Sequence, residues 1–259
     1  MSTALDLAAG TRRVRGLAAT NTRLLLRNRL ATFYAFAVPL LALTLLFSQD
    51  PSQPGAGLAT VATVLSMALL FPVYYNLLSV VVTRRDELVL KRLRTGEVRD
   101  GEILLSLALP GVGVALLICL VTMVATPLLG FSAPANVPVM LLGMLVACTA
   151  FVALALWTAA WTRNAEAAQL TSAPVILLTM AGLFRVVLPE AAHDWLVVLP
   201  GAAVEEVVQA AWFGVADDGS QLSLLETATA AGPGLAVLVA WTVLGLSLVA
   251  RSMPWEPRP

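Results

Sequence analysis

Residues 103–128 read I-L-L-S-L-A-L-P-G-V-G-V-A-L-L-I-C-L-V-T-M-V-A-T-P-L, without one charged side chain. A helix of that length extends about 39 Å at 1.5 Å per residue, enough to cross the roughly 30 Å of hydrocarbon in a bilayer. Working outward, five more apolar runs of comparable length occupy 31–48, 58–82, 137–161, 170–188 and 233–250. Composition agrees: 59% of the 259 residues are hydrophobic and 12% are charged, with a mean hydropathy of +0.85. Soluble domains carry about 45–50% apolar and about 25% charged residues. No stretch is polar enough to form a separate soluble domain. The expected fold is therefore an all-α membrane protein with six transmembrane helices.

The first run follows a basic segment, as a signal peptide would. It is longer than the usual apolar region of about 7–15 residues, and no A-x-A site follows it. It is expected to be a retained span. Cys119 and Cys148 lie inside apolar runs, where cysteine behaves as a small hydrophobe. They suggest neither a metal site nor a disulfide framework.

Net charge is zero, but the basic residues are segregated. Arg12, Arg13, Arg15, Arg23, Arg27 and Arg29 precede the first run; Arg84, Arg85, Lys91, Arg92, Arg94 and Arg99 follow the second. Arg163 follows the fourth, and Arg251 and Arg258 the last. The intervening loops, 49–57, 129–136 and 189–232, contain no Lys or Arg. By the positive-inside rule this gives a multi-pass protein of the cell (plasma) membrane with both termini cytoplasmic. Residues 1–30 are then a cytoplasmic tail and interfacial helix, 31–250 the six-span domain, and 251–259 a cytoplasmic tail. Within the domain, 83–102 is a cytoplasmic loop and 189–232 an external segment. No basic excess points to nucleic acid.

Two short helices are expected outside the spans. Over 11–30, Arg23 and Arg27 share one face and Leu17 and Leu24 another, so this helix should lie in the cytoplasmic headgroup layer, with Arg29 beside it. Over 200–212, Pro200 suits a helix start. Val204, Val207, Val208, Ala211 and Trp212 form an apolar stripe opposite Glu205, Glu206 and Gln209. That helix should rest on, or dip into, the external face, anchored by Trp195, Trp212 and Phe213 or closing an exit there.

Hydrolytic chemistry lacks its parts. The only histidine is His193, beside Asp194 in the external segment, and no H-E-x-x-H occurs. Glu205–Glu206 has no histidine in a later span to work with. Ion-coupled transport usually places carboxylates or histidines inside spans, and the central parts of these runs contain none. Arg185, near the outer end of the fifth run, either snorkels or pairs with Glu190.

The loop after the second run is the most informative segment. Leu88 to Leu93 can form a short helix bordered by Arg85, Lys91, Arg92 and Arg94, with Asp86, Glu87, Glu97, Asp100 and Glu102 interleaved. A lipid-binding patch would not mix in so many acids; alternating charge suits docking to a protein surface. The stretch 84–97, R-R-D-E-L-V-L-K-R-L-R-T-G-E, resembles the segment between spans two and three of type-2 ABC exporter permeases, roughly R-E-x-G-x-L-K-R-L-R-x-x-P. The stretch 27–41, R-N-R-L-A-T-F-Y-A-F-A-V-P-L-L, is similar to that family's approach to span one, including Pro39. The chain departs from the pattern at Leu88, where the family has glycine, and at Gly96, near its proline.

The resemblance implies that 84–94 is a coupling helix seated in a cleft of a separate ATPase subunit. Leu90 and Leu93 would be its apolar anchors, and Arg84, Arg85, Asp86, Glu87, Lys91, Arg92 and Arg94 its charged surface. It also implies a second permease subunit, identical or different, and contact with membrane lipid. The sequence has no G-x-x-x-x-G-K-[ST] loop, so ATP and Mg belong to the partner, and no cofactor or enzyme activity is expected in this chain. The cargo implied is hydrophobic or amphipathic, a drug-like metabolite or lipid-like compound moved out of the cell. Asn76, Thr122, Thr149, Thr158 and Thr179, with Arg185, are candidates for its path; each Asn or Thr alternatively bonds a neighbouring helix. Pro39, Pro72, Pro110 and Pro174 give either static kinks or hinges. The competing classes are an ion-coupled secondary transporter and a non-transporting membrane scaffold.

Overall fold

A computed structural model describes residues 2–53, 55–96, 98–180, 195–216, 219–253 and 255. Among these the chain is helical, with one isolated antiparallel bridge between Val215 and Gln221. Five helices are long and apolar enough to cross a membrane: Arg29–Ser48, Leu58–Asp86, Asp100–Leu128, Val137–Trp161 and Leu224–Ser252. They are termed spans one to four and the last span. The expected run at 170–188 begins as the shorter apolar helix Ala167–Met180. Residues 181–194, with Arg185, Glu190 and His193, lie outside the described residues.

Local chemistry sets several boundaries. The N-terminal helix, Ser2–Arg27, stops where Asn28 turns extended and its side chain accepts the Ala31 N–H at 3.1 Å, starting span one. An Asn at the N-cap satisfies a donor that the first turn would leave orphaned. Span two has three parts: an α-helix to Ala68, a π-helical stretch Leu69–Tyr75 holding Pro72, and an α-helix Asn76–Asp86. Proline lacks the N–H for the regular ladder and crowds the preceding turn, so the helix widens around it. Span four starts on Asn136, whose side chain accepts from the Val139 N–H. The last span begins earlier than the expected residue 233, at a Ser223–Glu226 capping box.

Burial divides the bundle into centre and rim. The most apolar windows of spans two, three and four are 67%, 56% and 61% buried, against 17% for span one and 22% for the last span. The two outer helices therefore present most of their apolar surface outward. Small residues set the closest helix approaches, as in other membrane bundles: Gly245 of the last span faces Ala153 of span four. A hydroxyl pair, Tyr74 with Thr158 at 3.2 Å, joins spans two and four in the buried core.

This packing decides between the two placements expected for the helix at 200–212, resting on a face of the bundle or dipping into it. It forms an α-helix Pro200–Val208 followed by a π-helical turn Gln209–Phe213. Ala202, Ala203 and Ala210 are buried together with the predicted stripe, and Glu205, Glu206 and Gln209 are half-buried. It is a helix inserted into the bundle, not one resting on it. Gly201 abuts the Thr179 carbonyl, and Gly234 of the last span lies against Ala203 and Val207; small side chains on several faces let neighbours close around it. Trp212, expected as an interfacial anchor, is fully buried and donates its indole N–H to the Ser132 carbonyl at 3.1 Å. Trp195 is exposed.

Candidate functional site

The charged segment after span two forms a projecting knob. Span two ends at Asp86, Leu88 turns the chain, and a six-residue helix follows over Val89–Arg94. The expected helix from 84 to 94 is thus divided: its first turn belongs to the span. Leu88 makes the turn with φ +59° and ψ +14°, a left-handed conformation, and Leu88 is the only non-glycine residue with positive φ among the described residues. A Cβ in that region costs roughly 1–2 kcal/mol. The departure from the glycine pattern therefore leaves the turn in place at the expense of local strain. Leu88→Gly is expected to raise thermal stability in detergent by under about 1 kcal/mol, the gain being reduced by glycine's greater freedom when unfolded. Leu88→Ala, which keeps the Cβ, should give no such gain.

The segment's side chains divide into two sets. Exposed at the tip and along the short helix are Glu87, Leu88, Lys91, Arg92 and Arg94. Arg92 donates back to the Glu87 carbonyl at 3.2 Å, fixing the tip. Arg94 pairs with Asp100 at 3.2 Å and lies 5.0 Å from the Trp255 ring centroid, close enough for a cation–π contact. Leu90 and Arg85 are fully buried, which corrects their expected roles. Leu90 belongs to the protein's own core and Leu93 packs half-buried against it, so neither is the apolar tip; Leu88, 42% exposed, is.

Arg85 holds the base of the knob to span four. Its Nη1 donates to the Ala159 carbonyl at 2.9 Å, and its Nη2 to the Thr162 and Arg163 carbonyls at 2.6 and 3.1 Å. These oxygens lie at the C-terminal end of span four, where the last turn leaves acceptors unsatisfied and the helix dipole is negative. Asp86 Oδ1 stands 3.7 Å from Arg85 Nε. Sequence reasoning grouped Arg85 with its exposed neighbours. The sole available signal was its position one residue from Arg84, about 100° further around the helix.

A second clamp fixes the N-terminal helix to the start of span three. Arg13 donates from Nε and Nη2 to the two Glu102 oxygens, both at 3.1 Å, and Glu102 also accepts the Arg99 N–H. Deeper in, Asn21 donates to the Ser106 carbonyl at 2.8 Å in a buried contact. Arg23, Arg27 and Arg29 stay exposed. Several acids expected to face a partner are thus committed within the chain: Glu102 to Arg13, Asp100 to Arg94.

The candidate path residues do not converge. Thr122 is buried and back-bonds to the Ile118 carbonyl; Thr179 does the same to Val175. Thr149 is exposed and meets Thr242 of the last span at 3.1 Å, while Thr158 meets Tyr74. Only Asn76 faces a polar cavity, shared with Asn21, Asn28 and Arg84. Arg185 lies outside the described residues. Among the described residues no three His, Cys, Asp or Glu side chains cluster as a metal site, and Cys119 and Cys148 are buried free thiols.

Comparison with models of known protein families matches residues 16–251 to the one described as "ABC-2 family transporter protein". No curated protein matches the chain.

Proposed function

The chain belongs to the ABC-2 family of transporter proteins, and on that premise we propose that it is the permease subunit of an ATP-driven exporter that takes its driving force from a separate ATPase subunit. The knob supports this reading best. An exposed Glu87-Leu88 tip and the flanking Lys91 and Arg92 offer one apolar contact ringed by both signs of charge, a pattern that gives specificity at a protein interface. The base of the same knob is joined to span four through Arg85. A displacement of the tip is therefore passed to the bundle as rigid-body motion.

The remaining parts of the reading follow from the same arrangement. The little-buried faces of span one and the last span suit pairing with a second permease subunit. The segregation of the basic residues along the sequence favours a cytoplasmic position for the knob and for both termini of a plasma-membrane protein. The cargo is hydrophobic or amphipathic, because the spans offer mostly Leu, Val, Ala and Met. The exposed knob also favours this class over an ion-coupled transporter, which has no use for a docking surface.

The test is co-expression with an ATPase encoded in a neighbouring reading frame. Glu87→Arg combined with Arg92→Glu is expected to weaken complex formation about tenfold or more, since reversing two interfacial charges costs over roughly 1.4 kcal/mol. Cargo-stimulated ATP hydrolysis should fall with it. Unchanged assembly and coupling in the doubly reversed variant would defeat the proposal.

A further inference from the structure

We infer that the cavity between the N-terminal helix, span two and span three is a site for the phosphate group of an anionic phospholipid. The cavity measures about 160 Å³. Its walls are Asn76, Val80 and Arg84, each four residues apart on span two; Asn21, Leu24 and Leu25 on the N-terminal helix; Asn28 and Ala31 at the start of span one; and Leu107 with Pro110 on span three.

Its polar groups form a donor set. Arg84 is half-buried here and brings a guanidinium fork suited to phosphate oxygens. Asn76 adds a carboxamide inside the span. Asn28 spends its oxygen on the Ala31 N–H, which leaves its amide hydrogens for a ligand. Asn21 donates to the Ser106 carbonyl and so holds that wall in place. No carboxylate lines the cavity; the acid whose charge acts on Arg84 is Glu87, out at the knob tip.

The occupant follows from charge, polarity and size. Leucine, valine and proline beside the donors suit an amphiphile better than a free anion. The volume falls below the roughly 300–1,000 Å³ of sites that enclose drug-sized molecules, so a headgroup fits and a whole cargo molecule does not. Leu24 is half exposed at the rim, giving an acyl chain a way out along the helix. Exposed Arg23, Arg27 and Arg29 neighbour the lining residues Leu24 and Asn28 in the chain, and juxtamembrane cations of this kind concentrate anionic lipid. A bound phosphate would join the N-terminal helix to span two directly above the knob. This site is independent of the transport reading.

Native mass spectrometry of the full chain in detergent tests the inference, with phosphatidylglycerol, phosphatidylcholine and inorganic phosphate added separately. One phosphatidylglycerol should be retained per chain, with phosphatidylcholine about tenfold weaker and inorganic phosphate unable to displace the lipid. Arg84→Gln and, independently, Asn76→Leu should each reduce phosphatidylglycerol retention about tenfold, the loss expected for one charge-assisted or buried hydrogen bond. Arg84→Lys should recover part of it, and Arg251→Gln, an exposed cation elsewhere, should change nothing. Asn76→Leu decides the matter should the Arg84 variant fail to fold. Wild-type retention in the variants, equal retention of the two lipids, or displacement by inorganic phosphate would overturn the inference.

Discussion

Gly111→Ala is expected to destabilise the protein by about 3 kcal/mol or more, the upper range for overpacking a close-packed interior. A Cβ at Gly111 would overlap the Pro72 carbonyl oxygen and stand 2.9 Å from its carbon and 3.2 Å from the Val73 Cα. All three are backbone atoms in the π-helical stretch of span two, so no side chain can rotate aside and the two spans must separate. That contact lies in the central core, beside buried Val73, Tyr74 and Ala115. Gly113 supplies the control two residues away. Nothing lies within 4 Å of a Cβ placed there, and an alanine should improve helix stability by roughly 0.5–1 kcal/mol. Thermal unfolding of the two purified variants in the same detergent measures the difference. Equal melting temperatures would show that spans two and three do not approach as described.

Replacing Arg85 with methionine is the second large effect expected. Three carbonyls at the end of span four would lose a charged donor in a fully buried setting. Charge-assisted hydrogen bonds contribute about 1.5–3 kcal/mol each. Methionine also removes the buried charge with its desolvation cost, so the net loss should be about 2–4 kcal/mol rather than the sum. Arg85→Lys should restore only a minority of it, because one ammonium cannot reach three carbonyls arranged for a planar fork. A double-mutant cycle with Glu87→Arg adds a functional readout. If Arg85 passes knob displacement to span four, its loss should uncouple ATP hydrolysis from cargo in the assembled transporter even where complex formation survives. Arg85→Met with wild-type stability would remove the clamp from the account.

A short helix near 88–93 carrying Lys91 and Arg92 was legible, because alternating charge is a local property; the left-handed turn at Leu88 that divides the expected 84–94 helix was not. Nor was the inward orientation of Arg85 and Leu90. Arg84 and Arg85 are neighbours of one type, and only the packing of span four, more than seventy residues later, decides which of them is enclosed. The Arg13–Glu102 clamp was hidden for the same reason: each side chain looked like one of many solvated charges until the N-terminal helix met the start of span three.

By itself the sequence determined that this is a helical membrane protein and located five of its long apolar helices, since run length and missing charge answer to the bilayer's thickness and dielectric. Charge alternation between spans two and three likewise marked the segment proposed here for docking. Tertiary structure alone decided which apolar faces are buried within the chain and which face outward: the core of spans two, three and four, the outer placement of span one and the last span, and the inserted helix at 200–208. The reason is physical. In water a helix must distinguish its two faces by polarity, whereas in a membrane both faces are apolar, so the choice between them is left to shape, to close backbone contacts such as Gly111 on Pro72, and to a few buried polar bonds.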